Sequence, residues 1–360
     1  MKFSRLILPF VVVALLCACG VSSSVVNTSS SSKVIIAVNT SAGIGYFVDS
    51  EGKILFGKQF DHVYSFSEGL AAVEQNGKWG FINTKGEVVP CFYNLPGDFS
   101  EGLARIRQNR KYGFINTKGE VVVPCVYDRA WSFSEGLAKV EQNDTLGFIN
   151  TSKYGFINTK GEVVVPCIYD RVGSFSEGLA RVEQNGKWGF INTQGEVVVP
   201  CVYDDADDFS EGLASVKQNG KWGFISTKGE VVVPCIYGYA GDFSEGFASV
   251  EQNGKFGFIN TQGEVVLPCI YNLAGSFSEG FAKVASVEQN GKFGFINTSK
   301  YGFINTKGEV VVPCVYDDAW SFSEGLAKVE QDGKWSIINA KGEVIVAECS
   351  ESTSWSVVEF

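Results

Sequence analysis

One four-residue phrase, Phe-Ser-Glu-Gly, recurs along the chain at near-constant spacing and restricts the fold more than any bulk property does. It begins at Phe66, Phe99, Phe133, Phe175, Phe209, Phe243, Phe277 and Phe322. Five of the seven intervals are 33 or 34 residues. A fixed period of this length marks a repeat array, in which each unit packs on its neighbours instead of joining one central core. Residues 34–61 read as a further, degenerate unit: Gly45-Tyr46-Phe47-Val48-Asp49 stands where other units have Gly-Phe-Ile-Asn-Thr. About nine units therefore fill residues 34–349, followed by a C-terminal tail at 350–360.

Residues 175–204 show how one unit should fold. Leu179 to Gln184 alternates, with Ala180 and Val182 on one face and Arg181 and Glu183 on the other. Asn185-Gly186 is a strong hairpin signal, because both residues tolerate positive φ. Lys187 to Asn192 is the second strand, Thr193 to Glu196 a glycine-containing turn, and Val197 to Asp204 the third strand. Pro200 cannot donate to a ladder, so the third strand should lie at an edge, end early or bulge. The expectation is an all-β chain of tandem ~34-residue, three-stranded antiparallel units, each with a connector. Three is odd, so the connector must return the chain to a common start. That favours units stacked as an open elongated superhelix, with a propeller-like closed array as the alternative.

The phrase Gly186-Lys187-Trp188-Gly189-Phe190-Ile191-Asn192, set between Phe-Ser-Glu-Gly-Leu-Ala and Val-Val-Pro-Cys-Val-Tyr-Asp, resembles the bacterial WG (KWG) repeat family over roughly residues 45–346. The Trp-Gly pair departs from the pattern at Tyr112-Gly113, Leu146-Gly147, Phe256-Gly257, Phe293-Gly294 and Trp335-Ser336. Any large apolar group serves there, which argues for packing. The resemblance implies β repeats in surface or secreted bacterial proteins and offers no catalytic residues. Two units carry an eight-residue duplication, at 147–154 and 294–301. Eight is even, so inside–outside parity survives. One copy should fill the lattice position while the other loops out, and the extra Ala285-Ser286-Val287 should need a bulge.

Candidate chemistry is sparse. His62 is the single histidine, which removes most histidine-based acid–base and metal chemistry. Cys91, Cys125, Cys167, Cys201, Cys235, Cys269 and Cys314 share one repeat position. They read as small buried residues, with pairing between units or a metal site as the alternatives. The glutamates of the recurring phrase (Glu68, Glu101, Glu135, Glu177, Glu211, Glu245, Glu279, Glu324) could line a binding face or simply cap their turns. Asp128, Asp170, Asp204 and Asp317 invite the same two readings. Trp131 and Trp320 lie in connectors and are the best exposed aromatics; with Glu135, Glu177, Glu211 and Glu245 they form the candidate binding set. No nucleophile elbow, zinc helix motif or phosphate-binding loop is present in the sequence. No cofactor is expected, and a formal charge of −10 disfavours nucleic acid.

The N-terminus reads as an export signal over residues 1–18. Lys2 and Arg5 precede the apolar run Leu6 to Leu16, and Leu16-Cys17-Ala18-Cys19-Gly20 resembles a lipobox, which implies cleavage before Cys19 and lipidation of its thiol. Residues 19–33 then read as the lipidated cysteine and a Ser-rich flexible tether. Gly20 favours the outer membrane or cell surface. The expected function is a membrane-anchored, non-catalytic envelope scaffold, monomeric, that binds protein or glycan. The alternatives are a carbohydrate-active envelope enzyme using a carboxylate pair, or a purely structural spacer.

Overall fold

The computed structural model describes residues 22–28, 31–146, 149–287 and 299–350. Two compact units are formed, Met1–Val172 and Gly173–Phe360. Every described element is a strand, arranged as one three-stranded and eight four-stranded sheets with no closed barrel. This is the tandem all-β repeat architecture anticipated above, with one correction: the repeating sheet has four strands.

The strands around Trp222 show why. Leu213–Gln218 and Lys221–Ser226 form a hairpin in register from Leu213↔Ser226 to Gln218↔Lys221. Asn219 and Gly220 between them take φ of 52° and 76°, as a two-residue hairpin turn with matching twist requires. Val231–Tyr237 adds as the third strand. The fourth comes from the connector: Asp205–Ala206 pairs with Lys217 and Val216 and forms the opposite edge. One residue, Asp204, separates it from the preceding third strand, Val197–Tyr203. A single extended run thus leaves one sheet and opens the next. This resolves the parity problem that three strands posed.

The third strand is an edge strand, and it bulges. Two steps on the partner, from Trp222 to Phe224, face four steps on the strand, from Tyr237 to Val233. The displaced backbone presses on the glycine between them. A Cβ on Gly223 would lie 2.4 Å from the Val233 oxygen and 2.7 Å from the Cys235 nitrogen. Gly113, Gly155, Gly189, Gly257 and Gly302 meet the same obstacle at 2.3–2.5 Å. The last unit tests the link. There Ser336 replaces glycine, Ala347-Glu348 replaces Pro-Cys, and the two steps from Trp335 to Ile337 face only three, from Cys349 to Val346. Where the glycine and the proline are both absent the bulge is one residue smaller, so the two vary together.

Cores lie between successive sheets. Phe190, Val199 and Tyr203 close on Ala206, Phe209, Ala214, Val216 and Ile225 of the next unit. The other face of that sheet, Phe224, Val233 and Tyr237, closes on Ala240, Phe243, Ala248 and Ile259. Edge-to-face phenylalanine pairs recur at these junctions, such as Phe190–Phe209 at 4.8 Å and Phe224–Phe243 at 4.9 Å. Such pairs add about 0.5–1.5 kcal/mol beyond burial. Both faces of the first strand are therefore covered: Glu183, Ser215 and Ser249 are buried, contrary to the simple inside–outside alternation.

The described part of the duplication at 147–154, residues 149–154, does not loop out. Leu137–Leu146 pairs with Ile149–Asn158 without interruption from Leu137↔Asn158 to Leu146↔Ile149. The second copy, Tyr154 to Asn158, holds the lattice position, and the first lengthens the hairpin equally on both strands, which keeps the register. At the second duplication Ser299–Asn305 fills the lattice and pairs with Phe281–Val287 without a bulge. Residues 288–298 lie outside the described residues, so the rest of that insertion does too. Nearer the start, Ser22–Thr28 pairs with residues 31–37 as a strand. These residues fall largely within the segment expected to be a flexible tether. Serine and threonine accept extended backbone, and Val34 to Ala37 offers a strand edge to join.

Gly223→Ala should destabilise its unit by roughly 2–3 kcal/mol, the scale of overpacking a rigid site. Ser336→Ala should stay within about 0.5 kcal/mol. Amide exchange of Phe224 and Ile338 in the respective variants checks the contrast.

Candidate functional site

The recurring phrase is a turn with an unusual occupant. The glutamate takes positive φ in all eight copies, 49° at Glu68 and 53–55° at Glu101, Glu135, Glu177, Glu211, Glu245, Glu279 and Glu324, and the following glycine does likewise. A left-handed conformation costs a non-glycine residue about 1–2 kcal/mol. The return comes from the carboxylate, which reaches the same turn one unit on. Glu68 accepts the Glu101 and Gly102 amides at 2.9 and 2.7 Å. Glu177 accepts the Gly212 amide at 2.9 Å and Glu211 that of Gly246 at 2.8 Å. Glu245 takes the Glu279 and Gly280 amides at 2.6 and 2.7 Å. The serine adds a second bond: Ser176 and Ser210 Oγ donate to the Phe209 and Phe243 carbonyls, both at 2.9 Å. Three of the four candidate glutamates, Glu177, Glu211 and Glu245, are thus engaged with their own chain. Glu135 occupies the equivalent turn at φ 53°.

On this frame sit the connectors. Each carries a buried residue of the edge strand, such as Ala130, Ala206, Ala240 or Ala319, flanked by residues that differ from unit to unit. Trp131 is half-buried. Its ring lies 6.0 Å from that of Tyr154, and the Lys139 ammonium sits 4.3 Å from its centroid. Trp320 is 46 % exposed and meets Trp335 edge-on at 5.9 Å, with Lys328 Nζ 4.7 and 5.1 Å from the two rings. Two further exposed aromatics escaped the sequence reading. Tyr64 stacks on Trp79 at 5.3 Å and on His62 at 5.0 Å, and Tyr239 meets Phe256 at 5.7 Å. Tyr64-Ser65-Phe66 aligns with Trp131-Ser132-Phe133, which could have revealed the former.

The aromatic of the second strand is a brace. Arg181 lies 5.3 Å from the Trp188 centroid and donates to the Ala206 carbonyl of the next connector at 2.6 Å. Arg105 does the same between Tyr112 and Ala130, and Lys283 between Tyr301 and Ala319. A cation–π contact to the ring and a bond to the next unit are thus made with either tryptophan or tyrosine at this site.

The aspartates after the third strand close locally. Lys111, Lys153, Lys187 and Lys300 pair with Asp128, Asp170, Asp204 and Asp317 at 2.5–2.6 Å. The Lys300 ammonium, helped by the Asp332 amide, holds the Asp317 carboxyl below its ordinary range. Cys125, Cys167, Cys201, Cys235, Cys269, Cys314 and Cys349 are free and half-buried. The thiols of Cys201 and Cys235 lie 3.6 and 3.5 Å from the Val182 and Val216 carbonyls. Burial pushes Cys167 up to about 11, so its thiolate is scarce at neutral pH. The side chain of Cys91 lies outside the described set. Among the described residues no three His, Cys, Asp or Glu side chains are grouped to hold a metal. A cavity of about 370 Å³ opens in the degenerate first unit, beside Leu55, Phe56, Asp49 and Glu51. Asp49 Oδ1 there accepts the Glu51 and Lys53 amides.

Two outcomes follow from this geometry. Glu211→Gln should weaken the junction to the next unit by about 1 kcal/mol, the difference between charged and neutral acceptors, read as faster amide exchange at Gly246. The depressed Asp317 contributes stability above its unfolded pKa, and this is lost as pH falls through the lower folded value. Thermal melts from neutral to acid pH should therefore fall less steeply for Asp317→Asn.

Comparison with known proteins matches the family model "WG containing repeat" to residues 47–79, 79–112, 112–145, 154–188, 188–222, 222–256, 256–293 and 301–335. No curated protein matches the chain significantly. Among solved structures it is similar to a eukaryotic initiation factor (15 % identity, 77 % of this chain and 83 % of that one, TM-score 0.42). It is also similar to apo AztD from Citrobacter koseri (12 %, 73 % and 89 %, 0.34) and to the Pan2 WD40 domain of Neurospora crassa (10 %, 63 % and 83 %, 0.25). None of these three likenesses is strong enough to carry function across. The eight matches cover most of the residues between 47 and 335, and the chain belongs to the family of WG-containing repeat proteins.

Proposed function

We propose that this protein is an exported, non-catalytic scaffold, anchored in the envelope through lipidated Cys19 at the outer membrane or cell surface, that binds protein or glycan through its connectors. One observation carries the reading: a constant, clamped frame displays connectors whose exposed residues differ. The same position holds Tyr64, Trp131, Asp207 and Trp320 in different units. Recognition surfaces built on rigid frames take this form, and repetition supplies avidity. The lipobox-like Leu16 to Gly20 supports the anchor and lies outside the described residues.

Glycan arrays and pull-downs with the full chain, compared with Trp131→Ala and Trp320→Ala, test the reading. Each substitution should weaken binding by more than about 1 kcal/mol, roughly fivefold, without lowering the melting temperature. Unchanged binding in both variants, or polysaccharide turnover by the wild type, would overturn it.

A further inference from the structure

The third strands carry an exposed apolar surface that the connector reading does not use. In the unit from Gly173 onward, Val197, Val231, Val265 and Val310 form one row, and Val202, Ile236, Ile270 and Val315 a second. All eight are 41–62 % exposed. Between the rows lie Pro200, Pro234, Pro268 and Pro313, also exposed. Successive strands adjoin: a Cβ on Gly229, two residues before Val231, would lie 2.8 Å from Val199 Cγ2, and one on Gly263 2.7 Å from Val233 Cγ2. The rows therefore make one stripe.

Copies within this chain have diverged elsewhere on the surface. The turn position before the glycine alternates between Lys and Gln, and the connectors hold Asp, Arg, Tyr or Leu. In these four strands the only exchange within the stripe is between Val and Ile, whereas the fifth, Val344–Cys349, keeps Val344 and has Ala347 and Cys349 at the other two positions. We propose that this stripe is a self-association surface, on which a second copy of the chain packs stripe against stripe, in place of the expected monomer.

Three features favour a second copy. A repetitive ridge matches itself in period, and a two-fold pairing sets each row against its own equivalent. The stripe supplies twelve uncharged residues, about half of the 20–30 that each side of a standard interface contributes. Strand addition is blocked by the proline and its bulge, so contact runs through side chains and stops at two copies instead of growing along the edge.

Sedimentation velocity of the full chain over a wide concentration range tests this. Wild type is compared with the fourfold variant Val197→Lys, Val231→Lys, Val265→Lys and Val310→Lys, both carrying Cys19→Ser so that no acyl chain drives association. The expected result is a concentration-dependent shift from one copy to two in wild type and a single copy in the variant, with equal melting temperatures. Should the variant fold poorly, Val231→Lys alone should still weaken self-association several-fold. A wild type that stays single at every concentration, or well-folded lysine variants that associate as wild type does, would overturn the proposal.

Discussion

A carboxylate held by the turn amides of the next repeat is the contact on which the rest of the protein depends. The glutamate adopts an unfavourable backbone conformation, and its side chain makes the distortion useful by fixing the turn that follows. With that turn placed, the adjacent phenylalanine meets the ring of the preceding sheet edge-on, and the serine closes on its carbonyl. Apolar burial supplies most of the attraction between sheets. The polar clip decides orientation, because burial alone is indifferent to small rotations of one sheet over another.

Much of this was legible beforehand, and the exceptions share a cause. The Asn-Gly hairpin, the edge position of the third strand and its bulge at Pro200 follow from backbone limits local to a few residues. The fourth strand did not show itself, because Asp205–Ala206 is too short to display any alternation. Nor did the role of the glutamates, since their partners lie 33 to 46 residues onward and only folding brings them together. The first member of the Val-Val-Val run faces solvent, as an edge strand with no further strand to cover it allows.

Frame and display separate cleanly in each unit. Lys187 and Asp204, Asn192 and Glu196, and Arg181 and Ala206 satisfy one another, so most of the polar chemistry on the frame is internal. On the proposed reading, what remains for recognition is the changing part of each connector. The two tryptophans at 131 and 320 carry lysines against their rings, which restrains them and, on the proposed reading, would lower the entropy lost on binding.

The coupling of each junction to an identical clip also bears on inheritance. Because the repeats from Phe66 onward share the same ring, hydroxyl and carboxylate, deletion or gain of one whole repeat in frame rejoins surfaces of the same kind. The number of repeats can therefore change by whole units while the fold of each remaining repeat is untouched. A loss of half a repeat has no such tolerance, since it would pair a clip with a strand edge. The fold thus tolerates change in discrete steps of one repeat.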